Sequence, residues 1–229
     1  MIRSAYTFLI ALAFLISGIS CSEKNGRHFD QGEIDYDVQY TGHVTLLPRE
    51  LMPRNLIFSF KGNKVLYELV SPFGNSGIID LSNPEEGIHD TYLSMFTIRY
   101  YYPAKPGEMF PGFEAMKGME IRRTSKTTEI CGFKCKNAEV TFPFDRSKIY
   151  NIWYTTEIPV KDPNASTPFS EIEGVLLSFF FFIGESEFQF RAENIYHKEI
   201  PDNLFERRQK FQRVSKAEIN KFINKMVSL

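Results

Sequence analysis

The chain has few of the residues that mark most enzymatic and metal sites. Its 229 residues include three cysteines, one tryptophan and four histidines. The histidines are scattered, with no i,i+4 pair and no cysteine or carboxylate at a spacing that suits zinc: His28, His43, His89 and His197. The sequence also lacks a nucleophile elbow, a phosphate-binding glycine loop and a dinucleotide fingerprint. We therefore expect no catalytic residue, no metal and no cofactor.

Two carboxylate pairs are the remaining candidates for acid–base chemistry. Asp35 and Asp37, and Glu185 and Glu187, are each two residues apart and alternate with apolar residues. Paired carboxylates can hydrolyse glycosides, but this alternation is typical of the solvated face of a strand. We assign both pairs to such a face.

Charge of one sign is not in excess. Arg3 is the only charged residue among the first twenty, so the rest of the chain carries 26 basic and 28 acidic residues, a net charge of −2. This balance gives no electrostatic footprint for nucleic acid. It also gives no polybasic surface for anionic lipid, so attachment to a membrane would depend on acyl chains.

The start of the chain has the pattern of a secretory signal peptide. An apolar run over residues 5–16 follows Arg3, and small residues lead to Cys21. The run is too short for a spanning helix. A lone cysteine at this point resembles a bacterial lipobox, in which the thiol is acylated and becomes the new N-terminus, although Gly18 stands where lipoboxes usually carry leucine. We predict a signal peptide over 1–20, a lipid anchor on Cys21 and a place in the outer membrane facing the periplasm or the exterior. A plain secreted protein cleaved near Ser20 is the alternative.

The rest of the chain is organised as one domain. Residues 21–31 are polar without a period and predict a tether, and residues 32–229 predict a single domain of ordinary size. Alternating apolar residues begin with Ile34, Tyr36, Val38 and Tyr40, and this period of two indicates half-buried strands. Further strands or hairpins are predicted over 55–70, 77–81, 92–102, 119–142, 149–158, 175–183 and 188–196.

Two segments near the end decide the fold class. Residues 175–183 (VLLSFFFFI) are apolar on both faces, which indicates a central strand covered on both sides. Ser215 and Glu218 form a capping box before an amphipathic helix whose apolar stripe includes Ile219 and Phe222. About nine strands and one helix predict a mainly β protein: a single curved antiparallel sheet, half-barrel-like, with a C-terminal amphipathic helix. The helix, or the loop over 103–118, should cover the second face of 175–183.

Cys131 and Cys135 are the remaining pair of cysteines. With a three-residue turn over 132–134 they would lie opposite each other at the root of a hairpin. Opposite residues have Cα atoms about 4.5–5.5 Å apart, a distance that a disulfide can bridge. An oxidising compartment favours such a bond. Buried free thiols and a redox pair are the alternatives, although redox chemistry prefers two intervening residues.

These residues also carry a family resemblance. Residues 130–138 (ICGFKCKNA) are similar to the Ile-x-Gly-Tyr-x-Cys-x-x-Ala signature of the GLPGLI family of uncharacterised Gram-negative lipoproteins, and 153–159 (WYTTEIP) to that family's Trp-Tyr-Thr-x-x-Ile segment. The name-giving Gly-Leu-Pro-Gly-Leu-Ile would fall on 171–176, where only the second glycine, Gly174, is retained. The resemblance covers about residues 32–215 and implies a divergent relative with no enzymatic activity to inherit. By analogy of fold it implies a likeness to the LolA/LolB lipoprotein carriers, whose curved sheet encloses acyl chains.

The aromatic residues suggest where a ligand would bind. The Phe run over 179–182 either fills a core or lines an apolar cavity beneath the apolar, Pro- and Gly-rich loop over 103–118. Our lining candidates are Phe179, Phe181, Phe188, Phe190, Phe110 and Phe113. We predict non-catalytic binding of an apolar ligand or lipid chain. An interaction or scaffold module of an envelope complex, with a filled core, is the alternative. A cavity of roughly 300 Å³ or more favours the first, and a solid core with an exposed apolar patch favours the second. The sequence identifies no protein partner.

Overall fold

A computed structural model describes residues 30–41, 53–74, 76–184 and 186–227. The predicted signal peptide, Cys21 and most of the predicted tether lie outside these residues. The predicted domain boundary at residue 32 is close to the start of the first strand at Gln31.

Within the described residues, twelve strands form one sheet, and one α-helix follows them. The strands are β1 (Gln31–Thr41), β2 (Asn55–Lys61), β3 (Lys64–Val70), β4 (Ser76–Asn83), β5 (Ile88–Met95), β6 (Ile98–Pro103), β7 (Glu120–Ile130), β8 (Phe133–Phe142), β9 (Asp145–Thr155), β10 (Val175–Ile183), β11 (Ser186–Tyr196) and β12 (Gln212–Arg213). The helix is α1 (Lys216–Val227). Two short 3₁₀ turns lie at Glu114–Met116 and Asp202–Phe205.

The strand order across the sheet is β12-β6-β5-β4-β3-β2-β1-β11-β10-β9-β8-β7. Every neighbouring pair is antiparallel except β12 with β6, which is parallel. The open sheet is curved. The predicted fold class, a single curved antiparallel sheet with a C-terminal helix, is therefore confirmed.

The alternating residues of β1 show why the sheet curves around a core. Ile34, Tyr36 and Val38 are buried on the concave face, where they lie beside the apolar residues of β2 and β11. The residues between them are half-buried or more exposed and belong to the convex face. A period of two in side-chain direction is sufficient to produce this division.

The predicted strand over 92–102 is wrong in one respect. The structure divides it into β5 and β6, which pair antiparallel and meet at a turn of Phe96 and Thr97. No glycine, proline or asparagine marks this turn in the sequence. For this reason the pattern of residues 92–102 predicts one continuous strand.

The concave face is filled rather than open. The connection between β6 and β7, residues 104–119, enters the curved sheet with Phe110, Phe113 and Met116 buried. We call this connection the plug. Helix α1 lies over the plug, with Ile219 and Ile223 fully buried. Both elements lie on the face of β10 that carries Phe181 and Ile183. The other face packs through Phe180 against Phe142, Tyr150 and Phe169 instead, so neither predicted element is its main cover.

A second, smaller apolar cluster covers part of the convex face. Residues 197–213 run across β3, β4 and β5 there, and their Ile200 and Phe205 are buried against Leu66, Leu81 and Tyr92. We call residues 197–213 the strap. The strap ends with β12, and α1 follows it. Among the described residues, no helix is long and apolar enough to cross a membrane.

Candidate functional site

The structure gathers the predicted cavity residues into one apolar cluster. All six are buried members of the main core: Phe110, Phe113, Phe179, Phe181, Phe188 and Phe190. Phe179 stacks on Phe190 with ring centroids 4.9 Å apart, and Phe113 of the plug meets Phe181 at 4.5 Å. The aromatic rings of β10, β11 and the plug therefore pack against one another.

A cavity remains inside this cluster, but it is small. Its volume is about 30 Å³, enough for a water molecule and far below the roughly 300 Å³ of a ligand pocket. Phe113, Phe181 and Phe190 line it, together with Leu56 and Leu69. Phe110, Phe179 and Phe188 do not. No preformed room for an acyl chain exists there, because the plug occupies the space.

Polar contacts fasten the plug to α1. The amide of Gly112 donates to Asn220 Oδ1 at 2.8 Å, and Asn220 Nδ2 donates to Glu114 Oε1 at 2.6 Å. Lys216 Nζ donates to Glu108 Oε1 at 2.7 Å. Hydrogen bonds from the Lys105 amide and from Lys216 lower the pKa of Glu108 to about 2. The plug is thus held on both sides, by aromatic packing below and by α1 above.

Asp80 is a buried carboxyl group at the wall of this cavity. Thr91 Oγ1 donates to its Oδ1 at 2.6 Å, and the Tyr67 ring lines the same space. Burial raises the pKa of Asp80 to about 7, although the hydrogen bond from Thr91 acts in the opposite direction. Nothing in the sequence around Asp80 indicates a buried carboxyl group, because this residue lies in a short apolar strand.

A much larger space lies where β9 separates from β10. The two strands pair from Val175 with Thr155 to Ser178 with Trp153, with a bulge at Leu177, and among the described residues no pair is formed beyond that point. Two adjoining cavities of about 520 and 470 Å³ open along this separation. Both are lined by Lys148, Tyr150 and Glu187. We call the joined space the β9–β10 cleft.

Aromatic residues form one end of the cleft. Tyr150 of β9 stacks on Phe180 of β10 with centroids 4.4 Å apart. Phe142 meets Phe182 edge-on at 5.3 Å, and the exposed Phe144 stacks on Phe142 at 5.0 Å. Phe180 and Phe182, the even-numbered residues of the Phe run, therefore line the cleft, although Phe180 is also a buried member of the main core. Two of the predicted cavity residues, Phe179 and Phe190, line the cleft as well.

Polar and charged residues form the other end. The outer faces of β1, β10 and β11 contribute Asp37, Gln39, Ser178, Gln189 and Arg191. Lys148 Nζ lies 3.2 Å from Glu187 Oε2 and 4.5 Å from the Tyr150 ring centre, and its pKa is raised, chiefly by its hydrogen bond with the Tyr150 hydroxyl. Glu187 is mostly buried, so the predicted solvated position is wrong for it, and Glu185 lies outside the described residues. Asp35 and Asp37 lie half-buried on the outer face.

The plug also reaches the upper end of the separation. The amide of Phe182 donates to Met116 Sδ at 3.3 Å, on a stretch of β10 that no longer pairs with β9. Met116 is buried there beside the aromatic residues of β10. The separation of the two strands is thus stabilised by a residue that lies some sixty positions away in the chain.

The hairpin with the two cysteines differs from the prediction. Ile130 pairs with Phe133, so the turn is Cys131 and Gly132, whose φ angles of 52° and 79° are typical of a tight hairpin turn. The predicted turn over 132–134 is wrong, because Cys135 lies opposite Thr128. Both thiols are free in the structure. Cys131 and Cys135 are therefore not a cross-strand pair, and the geometric argument for a disulfide between them does not hold.

Each thiol has a backbone partner of its own. Cys131 Sγ donates to the carbonyl of Ala192 and Cys135 Sγ to that of Phe133, both at 3.4 Å. Burial raises the pKa of Cys131 and raises that of Cys135 to about 11. Reactive cysteines have lowered pKa values, so these groups have the properties of structural thiols.

The segments that carry the family resemblance are neighbours in the sheet. Residues 130–138 lie in or before β8, which pairs with β9, and β9 pairs with β10. Gly174 has φ of 147°, and a Cβ at this position would lie 2.5 Å from the carbonyl oxygen of Thr155. Only glycine fits so close an approach. Membership of the GLPGLI family stays a prediction.

Among the described residues, no group of three or more histidine, cysteine, aspartate or glutamate side chains could hold a metal ion. No family model and no curated protein matches the chain. Two solved structures are similar: "Structure of PNGF-II in P21 space group", with 16% identity and a TM-score of 0.54, and "Structure of PNGF-II in C2 space group", with 15% and 0.53. They cover 86% and 85% of this chain, but only 34% and 32% of theirs. The chain thus spans about a third of the length of PNGF-II, and at this identity the likeness concerns the fold alone.

Proposed function

We propose that this protein is a lipid-anchored, non-catalytic interaction module of the outer membrane that binds an extended polypeptide segment in the β9–β10 cleft. The observation that carries the proposal is the contrast between the two spaces. The interior holds about 30 Å³, whereas the cleft opens with about 520 and 470 Å³ in adjoining parts. A filled core with an accessible surface feature favours the interaction module over a carrier of acyl chains.

The backbone around the cleft supports a polypeptide partner. β9 pairs with β8, and β10 pairs with β11, but beyond Ser178 and Trp153 they do not pair with each other. Each strand therefore turns one backbone edge towards the cleft. An extended segment can add to such edges with main-chain hydrogen bonds.

The side chains support the same partner. Three acidic residues (Asp37, Asp145 and Glu187) and two basic residues (Lys148 and Arg191) line the cleft, so it does not select a strongly charged ligand. Its aromatic end would accept an apolar side chain, and its amide and charged groups would bind polar side chains or main-chain groups. The predicted anchor on Cys21, the divergent GLPGLI membership and the absence of nucleic-acid binding belong to this proposal.

Site-specific photo-crosslinking in cells would test the proposal. A photoreactive residue at Gln189 or Ile149, both exposed at the cleft, should form the same product. A photoreactive residue at Glu86, exposed in the turn between β4 and β5, is the matched control and should not form it. Arg191→Glu should abolish the product, whereas Lys136→Glu on β8 should not. Equal products from Gln189 and Glu86, or none from the cleft positions, would contradict the proposal.

Binding of an apolar chain in the interior is a second candidate. It is favoured by the position of the small cavity directly beneath Pro111 and Phe113 of the plug, because displacing the plug would expose the aromatic cluster. Loosening the plug should then promote binding. Asn220→Ala removes the contact between α1 and Gly112, so a fluorescent long-chain fatty acid should bind this variant more tightly than the unaltered chain. Equal binding, or none to either protein, would exclude the interior as a ligand site.

A further inference from the structure

Three exposed phenylalanines lie at the tips of hairpins. Phe73, Phe96 and Phe144 are 71%, 62% and 72% exposed. They are the only strongly exposed phenylalanines among the described residues. Phe73 lies between β3 and β4, Phe96 between β5 and β6, and Phe144 between β8 and β9. We call these three residues the aromatic rim.

All three tips lie at the same end of the sheet. Successive antiparallel strands turn alternately at the two ends, so the β3–β4 and β5–β6 turns share an end and the β2–β3 and β4–β5 turns share the other. Counting from β1 through β11, β10 and β9 places the β8–β9 turn at the first of these ends. The cavity residues Leu69, Ile78 and Ile183 lie near this end too.

The opposite end has a different composition. Its hairpin turns contain Gly62 and Asn63, then Pro84 to Gly87, then Cys131 and Gly132. These are ordinary turn residues, and no phenylalanine is among them. The aromatic tips are therefore a property of one end and not of hairpin turns throughout this protein.

The backbone of Phe96 indicates that this residue is not there for folding. Its φ of 54° lies in the left-handed region, which is unfavourable for a residue with a bulky side chain. Glycine or asparagine would adopt the same turn with less strain. Because the Phe96 ring is exposed, its burial does not offset the backbone strain. We therefore expect the ring to contact another molecule.

The spacing of the rim favours a bilayer surface over a protein pocket. Neighbouring strands are about 4.8 Å apart, and seven strand spacings separate β5, which precedes Phe96, from β9, which follows Phe144. The three rings are therefore spread along an arc of roughly 35–40 Å and form no continuous patch. Aromatic groups lie at the interface of a lipid bilayer at a common depth. Because the bilayer is fluid, the rings can insert there separately, without forming a continuous patch.

The charges beside the rim are compatible with lipid headgroups. Among the residues that the structure describes at these turns, Arg54, Arg99 and Arg146 are exposed, and the exposed acidic groups beside them are Asp145 and Glu120. Arg146 lies 3.5 Å from Glu120. The balance is slightly basic, which suits a surface that contains some anionic lipid.

We infer that the aromatic rim is a membrane-contact site whose three phenylalanines insert into the interface of a lipid bilayer. The rim shares Phe144 with the wall of the β9–β10 cleft, whereas Phe73 and Phe96 do not line it, and the contact does not depend on the proposed function. If Cys21 is acylated, ten residue steps lead to Gln31 and can extend about 34 Å, which matches the length of β1 at about 3.4 Å per residue. Anchor and rim can then reach the same bilayer from opposite ends of the sheet.

The test uses a chain that starts at Ser22, which retains every described element because the described residues begin at Asp30. Its partition onto sucrose-loaded vesicles of phosphatidylcholine and phosphatidylglycerol in a ratio of about 3:1 is measured by sedimentation. The rim variant combines Phe73→Ser, Phe96→Gly and Phe144→Ser. The control variant is Tyr196→Ser, which alters an exposed aromatic residue at the end of β11, outside the cleft and the rim. We expect the rim variant to bind at least about tenfold less tightly and the control variant to bind like the unaltered chain.

Two further results decide the inference. Phe96→Gly alone should leave the Tm unchanged or raise it, because glycine relieves the strain at φ of 54°. A clear fall in Tm would show that this ring stabilises the fold and would overturn the argument from strain. No binding by the unaltered chain, or equal binding by the rim variant, would overturn the membrane contact itself and leave the photo-crosslinking test of the cleft unaffected.

Discussion

The amide of Gly112 donates a hydrogen bond of 2.8 Å to Asn220 Oδ1, and this contact joins the plug to the helix that closes the molecule. The φ of Gly112 is 98°, and a Cβ there would lie 3.1 Å from Ile223 Cγ2. Helix α1 therefore rests directly on the backbone of the plug. The filled interior depends on this approach as much as on the aromatic rings beneath it.

Asn220→Ala should destabilise the protein. It leaves the Gly112 amide and Glu114 Oε1 without the partner that Asn220 provides, and Glu114 Oε2 is already buried without one. We expect a loss of about 1–3 kcal/mol in the free energy of unfolding, measured by urea denaturation. Lys221→Ala, at the exposed neighbouring position, should have no such effect. Equal stabilities for the two variants would show that the plug is held by apolar packing alone.

The thiols should titrate as ordinary buried groups. Burial raises the pKa of both Cys131 and Cys135, the latter to about 11. Only the thiolate is alkylated, so the rate of iodoacetamide labelling should still rise at pH 9 without a plateau. Cys131, which is half-buried, should react before the buried Cys135. The measurement is peptide mapping of the folded chain starting at Ser22, purified without reductant. A peptide that joins Cys131 to Cys135 would show that the disulfide forms in spite of the hairpin register.

Much of the sheet could be predicted because its signals are local. The alternation from Ile34 to Tyr40 decides which face of β1 is buried, and Gly62 and Asn63 mark the β2–β3 turn. The capping box is formed as expected: the Ser215 amide donates to Glu218 Oε2 at 2.9 Å and the Glu218 amide to Ser215 Oγ at 3.3 Å. Each of these patterns determines the structure of residues only a few positions away in the sequence.

The features that define the candidate sites arise from distant contacts. The plug has apolar residues without a period, and only the curved sheet around it shows that they are buried. Phe96 carries no turn signal, since its left-handed backbone is imposed by the pairing of β5 with β6. The cleft depends on the bulge at Leu177 and on Met116, which binds the Phe182 amide. None of these contacts can be predicted from the residues that are adjacent in the sequence.

The anchor prediction concerns Cys21, which lies outside the described residues. A multiply acylated cysteine would hold the protein permanently in membranes, since each buried CH₂ contributes about 0.8 kcal/mol. Cys21→Ala should release the protein into the soluble fraction or leave it unprocessed. Fractionation of cells with immunodetection measures this, and a variant that stays with membranes at its processed size would place the anchor elsewhere.

Arg207→Ala should destabilise the strap. Arg207 donates from Nε to Asp90 Oδ2 at 2.7 Å and from Nη2 to Oδ1 at 3.0 Å, and Asp90 is fully buried. Without the guanidinium, the carboxylate retains the hydrogen bond of 2.7 Å from the Tyr92 hydroxyl but no described cation. Because the Arg207 side chain is 45% exposed, the pair is only partly buried, and we expect a loss of about 1–3 kcal/mol, the usual cost of leaving a buried group without its hydrogen-bond partner. Urea denaturation would measure the loss. Glu206→Ala, at an exposed neighbouring position, is the control and should be nearly neutral.

Asp80→Asn should change how stability depends on pH. The pKa of Asp80 is raised from 3.8 to about 7 in the folded protein, so between these values the folded state binds more protons than the unfolded state. Stability must then fall as pH rises from about 4 to 7, because deprotonation is easier in the unfolded chain. Asparagine mimics the protonated form and can still accept the hydrogen bond from Thr91 Oγ1. The variant should therefore match the unaltered protein near pH 4 and have the higher Tm at pH 8. Thermal unfolding at both pH values measures the difference, and a variant that is less stable at pH 8 would show that the ionised carboxylate itself stabilises the interior.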